Sequence, residues 1–92
     1  MLCEVCVDSV QSATEAFNGG AERIELCANL FEGGTTPSAG MIYKVRNTFP
    51  NKILHVIIRP RGGDFFYSNE ELEVMKCDIE ICKSYNVSNL KK

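Results

Sequence analysis

The sequence predicts an α/β fold of parallel strands joined by helices, and three observations carry that prediction. Strand-length and helix-length segments alternate three times along the chain, each strand has one apolar and one polar face, and a serine stands before each helical segment. The chain has 92 residues, 45% of them hydrophobic and 24% charged, with seven Gly and three Pro; this excludes disordered, collagen-like and low-complexity chains.

The first segment, from Leu2 to Asp8, alternates from Cys3 onward, with Cys3, Val5 and Val7 on one face and Glu4, Cys6 and Asp8 on the other. Ser9 then caps a short amphipathic helix bearing Val10, Ala13 and Phe17, which Gly19-Gly20 stops. A second strand, Arg23 to Cys27, sets Ile24 and Leu26 opposite Arg23, Glu25 and Cys27. The polar loop from Asn29 to Pro37 is longer than a connection requires, and Ser38 caps a helix bearing Met41, Ile42 and Val45. The third strand, Ile53 to Arg59, places Leu54, Val56 and Ile58 opposite His55, Ile57 and Arg59, and Pro60 ends it. Ser68 and Glu71 form a capping box for the last helix, whose apolar stripe is Leu72, Met75, Ile79 and Cys82 and whose end falls near Tyr85 and Asn86.

Strands separated by helices are βαβ units, whose crossovers are right-handed. Their apolar faces, Val5/Val7, Ile24/Leu26 and Val56/Ile58, should meet the helices. The other faces carry Glu4, Cys6, Glu25, Cys27, His55 and Arg59, too much charge for a second helix layer. An open doubly wound sheet needs apolar residues on both sides, whereas a closed barrel gathers polar groups in its lumen. The expected fold is therefore a TIM-type (β/α)8 barrel. About three βα units fall short of the eight strands and roughly 250 residues of that fold. Residues 1–92 thus read as a truncated N-terminal part of a single barrel domain, with a fourth strand that begins between Asn86 and Leu90 and stops at Lys91-Lys92. An unpaired edge and an open lumen face predict a chain that is marginal alone or self-associates.

Twelve acidic and ten basic side chains leave a net charge of −2, so there is no basic field to hold nucleic acid or an anionic membrane surface. Apolar runs such as Val56-Ile57-Ile58 are far shorter than the roughly 20 residues of a membrane span, and the opening lacks a signal-peptide pattern. Five cysteines without a disulfide framework favour reduced thiols and a cytoplasmic location.

Glu4, Cys6, Asp8, Glu25, Cys27, Arg59 and Arg61 are expected to converge toward the C-terminal rim, where barrels collect their chemistry. Cys6 and Cys27, inward on adjacent strands, could bring two soft sulfurs together, a donor set suited to Cu(I); free cysteines are also often small buried hydrophobes. Cys3 faces the helices, Cys77 lies off the stripe of the last helix and Cys82 belongs to the core. Glu4 and Glu25 read as neighbours that Arg59 neutralises. They are either a general acid/base pair with a cation for an anionic or carbonyl substrate, or a salt-bridged filling of the lumen. Gly33 and Gly34, in a loop entering a helix N-terminus, could donate backbone N–H groups to an anion, or form a glycine-rich turn. Arg59-Pro60-Arg61-Gly62-Gly63-Asp64 offers two splayed guanidiniums for phosphate or carboxylate. His55 reads as a core histidine rather than a ligand.

Taken together, four ordered blocks resemble the N-terminal part of the CutC copper-homeostasis family: Glu4 to Ser9, Gly19 to Cys27, Glu32 to Ser38 and Ile58 to Phe65. The resemblance runs to about Tyr85. It implies a TIM-type barrel, a cytosolic location and copper handling, with Cu(I) bound by two cysteines that match Cys6 and Cys27. No reaction follows from it. The chain departs from the family pattern at Asn86-Val87-Ser88-Asn89, where a Gly-Ala-Asp-Gly-like turn would lead into the fourth strand. Copper ion or a small anionic metabolite is thus the expected ligand, the second through a barrel enzyme using Arg59, Arg61, Gly33 and Gly34.

Overall fold

A computed structural model describes residues 4–87 and 89–91 of the chain. The elements in order are β1 (Glu4–Val7), α1 (Val10–Asn18), β2 (Arg23–Leu26), α2 (Ala39–Thr48), β3 (Ile53–Ile57), α3 (Asn69–Ser84) and β4 (Asn89–Lys91), with a 3-10 turn at Leu30–Glu32 before α2. The four strands form one parallel sheet in the order β1-β2-β3-β4. Strand order that follows chain order, with a right-handed helical crossover at each step, stacks all the helices on one face. The core shows this: Ala13 of α1, Ile42 and Val45 of α2 and Cys82 of α3 pack with Val7, Ile24, Leu26, Leu54, Val56 and Ile58 from the sheet. A doubly wound sheet would reverse its order and place helices on both faces. This one winds as a barrel does.

The helix boundaries follow from local chemistry. Ser9 caps α1 by accepting the Ser12 N–H at 3.0 Å, and Ser12 returns the bond to the Ser9 N–H at 3.1 Å. Ser38 accepts the Met41 N–H at the start of α2. At α3, Ser68 accepts from the Glu71 N–H at 3.1 Å while the Glu71 carboxylate accepts from the Ser68 N–H at 2.9 Å. Each cap satisfies N–H groups that the first helical turn leaves without partners.

Three expectations change in detail. β3 ends at Ile57 rather than Arg59, because the Arg59 N–H donates to Thr36 Oγ1 at 2.8 Å and its carbonyl accepts the Thr36 N–H at 2.9 Å, which draws the backbone out of the ladder and onto the long loop. The stripe of α3 is only partly covered: Cys82 is buried, Met75 and Ile79 are half-buried, and Leu72 is exposed. Val5, expected beneath the helices, is 36% exposed on the outer strand. The expected strand positions Leu2 and Cys3, and Ser88 in the tail, lie outside the described residues. Asn89–Lys91 do pair with His55–Ile57 as a fourth strand.

Candidate functional site

The helix-free face of the sheet carries the polar positions of the strands. Their register sets Glu4 opposite Arg23 and Cys6 opposite Glu25, with His55 on the far side of Glu25. Glu4 and Glu25 are therefore not the direct neighbours that alternation alone suggested. In an eight-stranded barrel of shear 8, each step to the next strand moves one residue along the register, so a lumen residue on one strand lies level with one two strands over and two positions further on. Glu4 is in register with Ile53, and its layer partner by this rule is His55. The structure obeys it: His55 Nδ1 lies 2.8 Å from the Glu4 carboxylate, with Arg23 Nε at 3.6 Å from the same oxygen. Glu4 thus has His55 and Arg23 beside it, whereas Arg59 is bonded to loop carbonyls. His55, which reads as core from the sequence, and Arg23, which carries no motif, both occupy the polar parity of their strands.

The two thiols stand near the strand C-termini. Cys6 is exposed on β1, its sulfur 3.7 Å from Glu25 Oε1. Cys27 follows β2 and is 2% exposed; its N–H donates to the Val7 carbonyl at 3.0 Å, and its thiol points to the same oxygen at 3.7 Å. Gly34 closes over it, since a Cβ at that position would lie 3.5 Å from the Cys27 sulfur. Burial pushes the Cys27 thiol up to about 11, and the negative charges of Cys6, Glu25 and Asp8 push in the same direction. No cluster of three or more His, Cys, Asp or Glu arranged to hold a metal occurs among the described residues. A metal here would rest on the two sulfurs, and soft sulfur without an oxygen cage fits Cu(I).

The arginines bind the rim loops together. Arg59 donates from Nη1 to the carbonyls of Glu32 (2.7 Å) and Gly34 (3.2 Å) and from Nη2 to that of Gly63 (2.8 Å), and its guanidinium lies over the Phe65 ring at 4.9 Å. Arg61 pairs with the Glu71 carboxylate and with Asp64, and also donates to the carbonyls of Gly62, Asp64 and Phe66. The N–H groups of Gly33 and Gly34 are bonded within their loop, to the carbonyls of Leu30 and Asn29. An anion bound by this set would have to displace those partners.

A parallel sheet wound in chain order, helices on one face and glycine-rich loops at the strand C-termini, beside Cys6 and Cys27, define a segment of a (β/α) barrel with its candidate chemistry at that rim. The chain belongs to the CutC family, whose sequence profile matches residues 1–91. It is 56% identical over 89 residues to the copper homeostasis protein cutC homolog of Homo sapiens, covering 97% of this chain and 32% of that protein. It is 50% identical over 84 residues to the homolog of the same name in Dictyostelium discoideum, covering 87% of this chain and 30% of the relative. A crystal structure of CutC from Streptococcus agalactiae superposes with a TM-score of 0.88 at 35% identity, over 98% of this chain and 44% of that one. The chain thus spans about a third of the length of the curated relatives it matches.

Proposed function

We propose that the chain takes part in copper homeostasis by binding Cu(I) between the sulfurs of Cys6 and Cys27. The observation that carries this reading is the placement of the two thiols at the C-terminal ends of adjacent strands, Cys6 beside Glu25 and Cys27 under Gly34. Family membership, and relatives named for copper homeostasis, support the same reading. Cys6 and Cys27 would hold Cu(I) as thiolates, Cys27 giving up its proton to the solvent, with Glu25 beside the Cys6 sulfur to orient it. The reduced state that such a site needs agrees with a cytoplasmic setting, which is part of the proposal.

One observation favours a second reading. The Glu4–His55 contact, with Arg23 beside it, is an acid/base pair on the lumen face of a barrel and suits an enzyme acting on a small phosphate or carboxylate metabolite. Glu4, Glu25 and Arg59 remain its candidate residues.

A Cu(I) competition titration of the reduced chain beside the Cys6→Ser/Cys27→Ser variant tests both readings. One equivalent per chain that disappears in the variant is the expected result. Unchanged uptake by the variant removes these cysteines as ligands. Absence of uptake, together with a metabolite-induced rise in Tm that Glu4→Gln abolishes, would carry the enzyme reading instead.

A further inference from the structure

The base of the loop between β2 and α2 is fixed by backbone. Ala28 and Thr35 exchange hydrogen bonds at 2.9 and 2.8 Å, and Thr36 is bonded to the backbone of Arg59. The turn above that base, which carries Glu32, Gly33 and Gly34, is hydrogen-bonded to the next loop through the Arg59 side chain. Nη1 donates to the carbonyls of Glu32 and Gly34, and Nη2 donates to that of Gly63. One planar group thus fastens two loops together, and its charge strengthens each bond. Arg61, two residues on, pairs instead with the carboxylates of Asp64 and Glu71. Arg59 forms no ion pair among the described residues and donates to carbonyls, so its role is set by the backbone it holds.

What the turn covers is the Cys27 sulfur. A Cβ at Gly34 would lie 3.0 Å from Ile57 Cδ1 and 3.5 Å from that sulfur, so the backbone of the turn rests on both side chains. Cys27 is buried, and burial is the main reason its thiol is pushed up. The charges that reach it are those of Cys6, Glu25 and Asp8, so Arg59 acts on the sulfur through the loop. We propose that Arg59 is a positioning residue for Cys27: its planar guanidinium holds the turn closed over the sulfur and so governs how readily an electrophile or a metal ion reaches it. For copper this rests on the binding site proposed above, whereas the access of an electrophile does not.

Iodoacetamide alkylation of the full chain, resolved by residue and run as a pH profile, tests this. The thiolate sulfur displaces iodide and its proton goes to the solvent, so the rate reads both access and ionisation. In Arg59→Ala, Cys27 should react about tenfold or more faster than in the parent, with its pH midpoint moving from about 11 toward 9.0. Cys82, buried in the helix-side core, reports global unfolding and should stay protected. Arg59→Lys should fall between the two, because an ammonium lacks the planar fork that reaches both loops. Parent-like protection of Cys27 in Arg59→Ala would overturn the proposal. So would Cys82 becoming reactive in step with Cys27, since that is the mark of a merely structural role. Should Arg59→Ala fail to fold, Arg59→Lys carries the test: Cys27 should still react faster than in the parent with Cys82 unchanged, and equal rates would be the contrary result. Cu(I) uptake is measured on the same samples. A parent that takes up no Cu(I) but shows the alkylation pattern would sink the copper reading and leave Arg59 in its role; Cu(I) uptake without that pattern would do the reverse.

Discussion

Cys6 and Cys27 have the same side chain on adjacent strands, yet their surroundings give them different chemistry. Cys6 is exposed, whereas Cys27 is covered by Gly34 and holds its proton up to about pH 11. Residue-resolved alkylation should therefore modify Cys6 readily at neutral pH and leave Cys27 nearly untouched. Comparable rates at the two positions would contradict the burial. The same shift has a thermodynamic consequence. The unfolded thiol ionises near its ordinary value of 9.0 and the folded one near 11, so above pH 9 the unfolded state releases a proton that the folded state keeps. Stability should be insensitive to this group below pH 9 and fall by roughly 2–3 kcal/mol as pH rises to 11. Urea denaturation across that range, compared with Cys27→Ala, measures the difference. A variant as alkali-sensitive as the parent would assign the loss to other groups. Copper uptake through Cys27 should correspondingly strengthen with pH, because the metal competes with that proton.

At the scale of the element, the backbone decides what a residue can do, and two glycines show how. Gly34 has φ +94°, and a Cβ there would lie 3.0 Å from Ile57 Cδ1. Gly40, in the first turn of α2, has open space where its Cβ would be. Gly34→Ala should cost about 1–3 kcal/mol and disturb the cover over Cys27. Gly40→Ala should stabilise the chain by up to about 1 kcal/mol by restricting the unfolded state and favouring the helix. Chemical denaturation of both variants checks the opposite signs, and a neutral Gly34→Ala would mean that the loop is not held in this conformation. The elements themselves were legible in the sequence, because the serine caps and the two-residue alternation are local signals. The site was legible only in part. Alternation put Glu4, Cys6, Glu25 and His55 on one face, but which of them touch depends on register and on the lean of the strands, which no local pattern encodes. That is why Glu4 was assigned Glu25 and Arg59 as neighbours when it meets His55 and Arg23. The contacts of Arg59 are illegible for a related reason: its acceptors are carbonyls of two loops, and carbonyls leave no mark in a sequence.

At the scale of the whole molecule, the helices among the described residues cover one face of the sheet. The accessible surface of 5706 Å² exceeds the roughly 5,400 Å² expected of a compact monomer of this mass. Part of the excess is apolar: Ile53 on the open face is 46% exposed, and Val5 on an outer strand is also exposed. β1 and β4, as the outer strands, present backbone groups along the two sides of the sheet. Another strand or another apolar face would satisfy both features, and a second copy of the chain has both. The isolated chain should therefore self-associate, with a mass in solution that rises with concentration and a thermal transition that sharpens and moves upward as it does. Ile53→Glu puts a charge on the open face, at the N-terminal end of β3, without touching the helix-side core, so it should shift the equilibrium toward monomer if copies meet through that face. Association unchanged by this substitution would point to the strand edges, where the contacts are backbone and indifferent to the side chain at position 53. A monomer at every concentration with one sharp transition would show that a helix layer on a single face of this sheet is sufficient for stability.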